Sequence, residues 1–259
     1  MLSVSGAEIT RWLGEFIWPF LRILALFSVA PGFSSAAIPA RAKVAIAFVI
    51  ALLVAATLGN AAPLALSWAT LLLAVQQVLV GLAIGFAMQL TLAAMAFAGD
   101  FLGVQMGFGF AALFDVQTRF EVPIVSDLFG LAGLLLFLTL NGHLILLGVV
   151  VKSFAIVPIA PDSGITGAGW QALVRAGALL FQMGVWLALP VIAVLLAVQI
   201  GLAVVSRVAP QINIISVGFA LFMWVGIAAT IALVPFFAPA VAHMIAVGAS
   251  VAGAALRGG

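Results

Sequence analysis

His143 and His243 are the only side chains in this chain that ordinarily titrate near neutrality, and neither has neighbours that would make it a catalyst or a ligand. There is no H-x-x-x-H or H-E-x-x-H pair, and no acid lies within helical reach of His243. Both read as hydrogen-bonded interface histidines. Ser250, in Gly248-Ala249-Ser250-Val251, misses the G-x-S-x-G pattern and has no base placed to activate it. With no cysteine, disulfides, thiolate ligands and thiol nucleophiles are excluded. No G-x-x-x-x-G-K-[ST] loop offers a phosphate cradle, and no chain of buried acids offers a proton path. The reading is therefore not an enzyme, with no cofactor and no metal.

The chemistry the chain does hold is steric and amide-based. Residues 99–127, GDFLGVQMGFGFAALFDVQTRFEVPIVSD, gather glycines, five phenylalanines and four of the seven acids, apolar and flexible in the first half and charged in the second. One reading is a connecting or re-entrant loop. The other is a constriction, since Phe108, Phe110 and Phe114 on a glycine-hinged backbone can close a pore by dewetting or by bulk. Met106 beside them is soft and adaptable. Gln76, Gln77, Gln89, Gln105, Asn141, Gln182, Gln199, Gln211 and Asn213 lie in apolar surroundings, where lipid would leave them unsatisfied. Bonding between helices answers this at ~0.6–2 kcal/mol each. Gly81 and Gly85, then Gly99, Gly103 and Gly107, form G-x-x-x-G steps that admit close backbones. Packing within one bundle would use these residues, and so would contact with other subunits. Their spread over several helix faces favours the second.

The elements that must carry these groups are membrane helices. Of 259 residues, 66% are hydrophobic and 6% charged, a composition that excludes a soluble globule. Charge-free runs cover 23–40, 44–99, 128–151, 176–206 and 208–256, each able to supply the roughly 20 apolar residues of a span or nearly so. Unalternating runs of this length mean helices, so the fold class is all-α. The net charge of +2 comes without any basic cluster, which points away from nucleic acid. Glu8 and Glu15 before the first apolar stretch, and Arg22 within it, argue against a cleaved leader.

Helices are expected at about 12–31, 43–58, 66–98, 128–150, 172–206, 212–234 and 238–256. They are separated by Pro31-Gly32 with Pro39, by 59–63, by the Gly/Pro-rich 158–169 and by Val208-Ala209-Pro210. The 176–206 run would extend ~46 Å against a hydrocarbon core of ~30 Å. A kink or full break at Pro190 is therefore expected. Lys and Arg in the short loops give no consistent orientation. Either a segment is miscounted, or much of the apolar surface is meant for other proteins.

Six pieces then fall in order: Trp18-Pro19-Phe20-x-Arg22-Ile23, Pro39-x-Arg41-x-Lys43, Gln76-Gln77-x-Leu79-x-Gly81-x-x-x-Gly85-Phe86, Gly103-x-Gln105-Met106-Gly107-x-x-Phe110-Ala111, Phe137-Leu138-Thr139-x-Asn141-Gly142-His143, and Arg207-x-Ala209-Pro210-Gln211-x-Asn213-x-x-x-x-Gly218-Phe219. Together they resemble the FliR/SctT family of type III secretion export-gate proteins over nearly the whole chain. The resemblance implies a non-enzymatic, multi-pass protein of the bacterial inner membrane, in the flagellar basal body. It implies assembly with FliP and FliQ, beside FlhB-type and FlhA-type export components, into a channel for unfolded export substrates.

The same resemblance implies one family domain over 1–259. A FliP-like portion would cover about 1–170, with a plug loop at about 103–121, and a FliQ-like helical hairpin portion about 171–259. Gly103, Gln105, Met106, Gly107, Phe108, Phe110 and Phe114 fall on the plug, the three phenylalanines as blocking groups and Met106 facing the lumen. Gln76, Gln77, Gly81, Gly85, Asn141, His143, Arg207, Pro210, Gln211 and Asn213 fall at packing positions. DVQTRFE at 115–121 departs from the glycine- and serine-rich tail of the family. The N-terminal third favours the flagellar branch. An injectisome SctT homologue is the alternative, and a secondary transporter with its site in the broken helices is a more distant one.

Overall fold

A computed structural model describes residues 6–57, 67–108, 124–160, 163–208 and 214–258. Among these, every regular element is helical. The order is α1 (Gly6–Val29), α2 (Ala40–Ala55), α3 (Trp68–Gln105), α4 (Ile124–Thr139), α5 (Gly142–Ile156), α6 (Gly167–Val208), α7 (Ile214–Leu233), a 3₁₀ turn (Val234–Phe236) and α8 (Phe237–Arg257). Three stretches, Trp68–Gln105, Gly167–Val208 and Gly218–Arg257, are long and apolar enough to cross a membrane, and α4 with α5 makes a fourth if the pair counts as one broken span. The chain is an all-α membrane protein.

Three expectations about the elements need correction. The helix expected to end at 98 runs on to Gln105, so Gly99 and Gly103 are helical and the turn begins at Met106 and Gly107. The single helix expected over 128–150 is two, α4 and α5, divided at Leu140-Asn141. Asn141 takes φ 58 and ψ 27, a left-handed conformation that asparagine tolerates, and its carbonyl accepts the first hydrogen bonds of α5 from Leu144 and Ile145 at 2.9 and 3.1 Å. Of the kink or full break expected at Pro190, the full break is absent, for α6 is one helix of 42 residues with Pro190 inside it, as the segment expected over 172–206 also had it. Losing one backbone hydrogen bond in apolar surroundings costs less than opening a whole turn.

The chain divides into two compact units. Unit 1 comprises Met1–Leu90, Asn141–Gly177 and Ile245–Gly259, and unit 2 comprises Thr91–Leu140 and Ala178–Met244. In unit 1, α1 supplies Trp18, Ile23, Leu26 and Phe27 to the interior, α3 supplies Leu73, Val80 and Ile84, and α5 supplies Leu146, Val150 and Phe154. Backbones meet where α3 has glycine. A Cβ on Gly81 would collide with the carbonyl oxygen of Arg22, and one on Gly85 would stand 2.9 Å from that of Leu26. Thr166 caps α6, its Oγ1 accepting from the backbone N–H of Gly169 at 3.2 Å.

In unit 2, Phe129 of α4 meets Phe237 of α8 with centroids 5.0 Å apart. A Cβ on Gly99 would stand 2.6 Å from the carbonyl oxygen of Val125, and the Ser126 hydroxyl donates to the Ala96 carbonyl at 2.9 Å. α3 is thereby fixed to the first turn of α4.

Overpacking at a backbone contact costs ~1–3 kcal/mol or more, whereas alanine in open helix gains up to ~1 kcal/mol over glycine. Gly81→Ala is expected to lower the midpoint of chemical unfolding in detergent. Gly148→Ala, in α5 with nothing near its Cβ position, is expected to hold or raise it.

Candidate functional site

The densest polar construction among the described residues is built on Arg22, which is 0% exposed in the middle of an apolar helix. Its Nε donates to Gln77 Oε1 of α3 at 2.9 Å, and Nη2 donates to the same oxygen. Nη1 donates to Ser153 Oγ of α5 at 2.9 Å, and Nη2 also donates to the Val157 carbonyl at 3.0 Å. The guanidinium lies over the Phe154 ring, 4.1 Å from its centroid. Guanidinium stays charged when buried, and its planar fork satisfies several acceptors at once. One side chain thus ties α1 to α3, to α5 and to the backbone just past α5, with a cation–π contact strengthened by desolvation. Gln77 spends its oxygen on Arg22, and its buried Nε2 has no partner among the described residues.

Beside the node, a cavity of about 520 Å³ is lined by Ile156, Val157, Ser163, Thr166, Leu256 and Arg257 among others. Neither Arg22 nor Ser153 is among the candidate site residues read from the sequence, although Arg22 stands in the first of the six pieces. A lone arginine inside an apolar stretch was the available signal for the first. Ser153 carries none, because a serine in a helix normally bonds its own backbone, as this one also does to the Val150 carbonyl at 2.6 Å.

The other candidate residues lie at the end of α3. Gly103 is buried, its Cβ position 3.7 Å from Val125. Gln105 Oε1 accepts a long 3.5 Å contact from Gln199 Nε2 of α6. Met106 is 2% exposed and seated against Gly226 of α7 within unit 2. Gly107 has φ +87, a conformation that suits glycine, with the Phe219 ring against it. Phe108 is half-buried. Phe110 and Phe114 lie outside the described residues, as do Pro210, Gln211 and Asn213.

The packing candidates scatter. Gln77, Gly81 and Gly85 serve the α1–α3 contact inside unit 1, and Gln76 Nε2 comes 3.2 Å from the Cβ position of Gly164. Asn141 is exposed at its turn, Arg207 is exposed in the last turn of α6, and half-buried His143 has a buried Nδ1 with no partner among the described residues. His243 is exposed on α8, and the Ser250 hydroxyl donates back to the Val247 carbonyl at 2.7 Å. Among the described residues no three of His, Cys, Asp or Glu are grouped to hold a metal ion.

Residues 13–247 match the sequence profile described as bacterial export proteins, family 1. Among curated relatives, the flagellar biosynthetic protein FliR of Escherichia coli K12 is 40% identical over 245 residues, covering 94% of this chain and 93% of its own. The protein of the same name from Pectobacterium carotovorum matches at the same identity and coverage. That of Bacillus subtilis 168 is 30% identical over 210 residues, 80% of either chain.

Removing one member of a buried charged network costs ~3–5 kcal/mol, because the charge is left without acceptors. Gln77→Leu is expected to destabilise unit 1 by that amount, and Ser153→Ala by less. Gln77→Glu keeps the acceptor and removes the orphaned donor, so it is expected to match or exceed the parent. Unfolding midpoints of the three variants in one detergent check the order.

Proposed function

The chain belongs to the bacterial export proteins, family 1, and we propose that it serves as a core, non-enzymatic subunit of the flagellar export apparatus in the bacterial inner membrane. In this reading it assembles with FliP and FliQ, in contact with FlhB-type and FlhA-type components, around a passage for unfolded export substrates. About 1–170 forms a FliP-like portion and about 171–259 a FliQ-like one. The segment at about 103–121 is the plug, with Phe108, Phe110 and Phe114 as its blocking groups and Gly103 to Gly107, the end of α3 and the turn after it, as its root. Gln76, Asn141, His143 and Arg207 are available for contact with neighbouring subunits, and Pro210, Gln211 and Asn213 are assigned to the same role from the sequence alone. The relatives named above are flagellar, which favours that system over the injectisome.

The length of α6 carries the assembly reading. Its 42 residues rise ~63 Å, and even at a tilt of 40° they span ~48 Å against ~30 Å of hydrocarbon. Between Arg175 and Arg207 it carries no charge over 31 residues, ~46 Å of helix, and Phe181, Trp186, Leu189, Ile200 and Val204 are exposed there. The most apolar window of Gly167–Val208 is only 22% buried, and that of Gly218–Arg257 only 11%. Lipid covers part of such a surface. The remainder requires protein, as a large exposed apolar face does generally.

Two outcomes test the reading. Extraction in mild detergent is expected to bring FliP and FliQ down with the chain in fixed ratio, detected by mass spectrometry of the purified complex. A stable, companionless monomer from its native host would refute assembly. Deleting residues 106–114, or changing Phe108, Phe110 and Phe114 to Ala, is expected to leave the complex intact while making the membrane leaky to small ions. A tight membrane around a normally assembled variant would remove the plug assignment.

A further inference from the structure

Three consecutive residues at the end of α3 touch other helices of unit 2, each by a different means. Gln105 meets Gln199 of α6 at 3.5 Å, the length of a weak hydrogen bond. Met106 fills a notch on α7: a Cβ on Gly226 would lie 2.5 Å from its Cγ, 2.8 Å from its Cε and 2.9 Å from its Sδ. Gly107 turns the chain at φ +87 with Phe219 of α7 closed over it, the ring 2.7 Å from where a Cβ would be. The Met106 contact is close-fitting, because a side chain at 226 would force the end of Met106 to shift. It is also releasable. An unbranched thioether makes no charged or directional bond there, and it adopts many rotamers when withdrawn.

From this geometry we infer that Gly226 and Phe219 form a seat on α7 for the root of the loop, and that the seat must open during export. Gly226 is then a positioning residue for the seal, acting through Met106. A permanent packing contact would look the same at rest but would not need to open. The inference rests on the reading of about 103–121 as the plug, and deepens it by naming what holds the plug shut.

The chain has no native cysteine, so a paired replacement gives a clean lock. In the assembled apparatus, Met106→Cys with Gly226→Cys is expected to form a disulfide under mild oxidant. Secretion of an exported flagellar protein should then fall at least tenfold and return on reduction. Gly226→Ala, compared at equal amounts of assembled complex, is expected to raise ion leak to at least half that of the 106–114 deletion. The exchange of knob and notch, Met106→Ala with Gly226→Met, should bring the leak back towards the parent. A disulfide that fails to form, or one that forms and leaves secretion unchanged, overturns the seat. So does a Gly226→Ala variant as tight as the parent when the loop deletion leaks. A tight loop deletion combined with a disulfide that blocks secretion refutes the plug alone and leaves the seat as a contact that moves.

Discussion

A guanidinium keeps its proton wherever the fold puts it, so Arg22, wholly enclosed among apolar helices, has to be supplied with acceptors on every side. That requirement governs unit 1. Gln77 must face α1, Ser153 must sit one turn before the end of α5, and the Val157 carbonyl must be left unused by any helix. For α3 and α5 the hydrophobic effect gives few such directions, because these two helices have no strongly preferred apolar face and burying one side is nearly as good as burying another. A polar node resolves the choice: it accepts one rotation of α1 against α3 and α5, and leaves a buried charge short of partners in any other.

α3 follows the same logic by steric means. Its buried positions include Leu73, Gln77, Val80, Ile84, Ala87, Thr91, Met95, Ala98 and Leu102, in steps of four and three. Its exposed positions carry Leu71, Leu72, Val75, Leu79, Phe86, Phe101 and Val104. Large side chains thus occupy both sides, and the inside also admits alanine, glycine, an amide and a hydroxyl. This departs from the habit of a water-soluble helix and fits association driven by close packing, where small residues let backbones approach. The collisions that side chains would cause at Gly81, Gly85 and Gly99 mark where α3 comes nearest to other segments.

Much of this was legible in the residues. The composition fixes an all-α membrane protein, and the charge-free runs locate most helices. What misled was the use of breakers as if the chain were in water. Gly99 and Gly103 sit inside α3 and Pro190 inside α6, because apolar surroundings favour continuing the backbone hydrogen bonds over exposing them. Conversely, Asn141 interrupts an unbroken hydrophobic run, since a left-handed residue stops a helix whatever its neighbours. Gln77 stood out as a buried amide, yet its partner did not, for nothing in a sequence without contacts links positions 22, 77 and 153. The Met106 notch was equally hidden, as Gly226 is one glycine among 26 and its role lies wholly in what fills the space above it.

The reach of α6 also bears on how long a newly made copy can last. On the assembly reading, a helix whose oily flank outruns the bilayer lacks full cover straight after synthesis, so an unassembled copy would be a target for membrane proteases and for clumping with its siblings. Steady-state abundance would then track the supply of whatever shields that flank. Overproduction of this chain alone would fill the cell with degradation fragments, and balanced co-expression would be the condition for accumulating it whole.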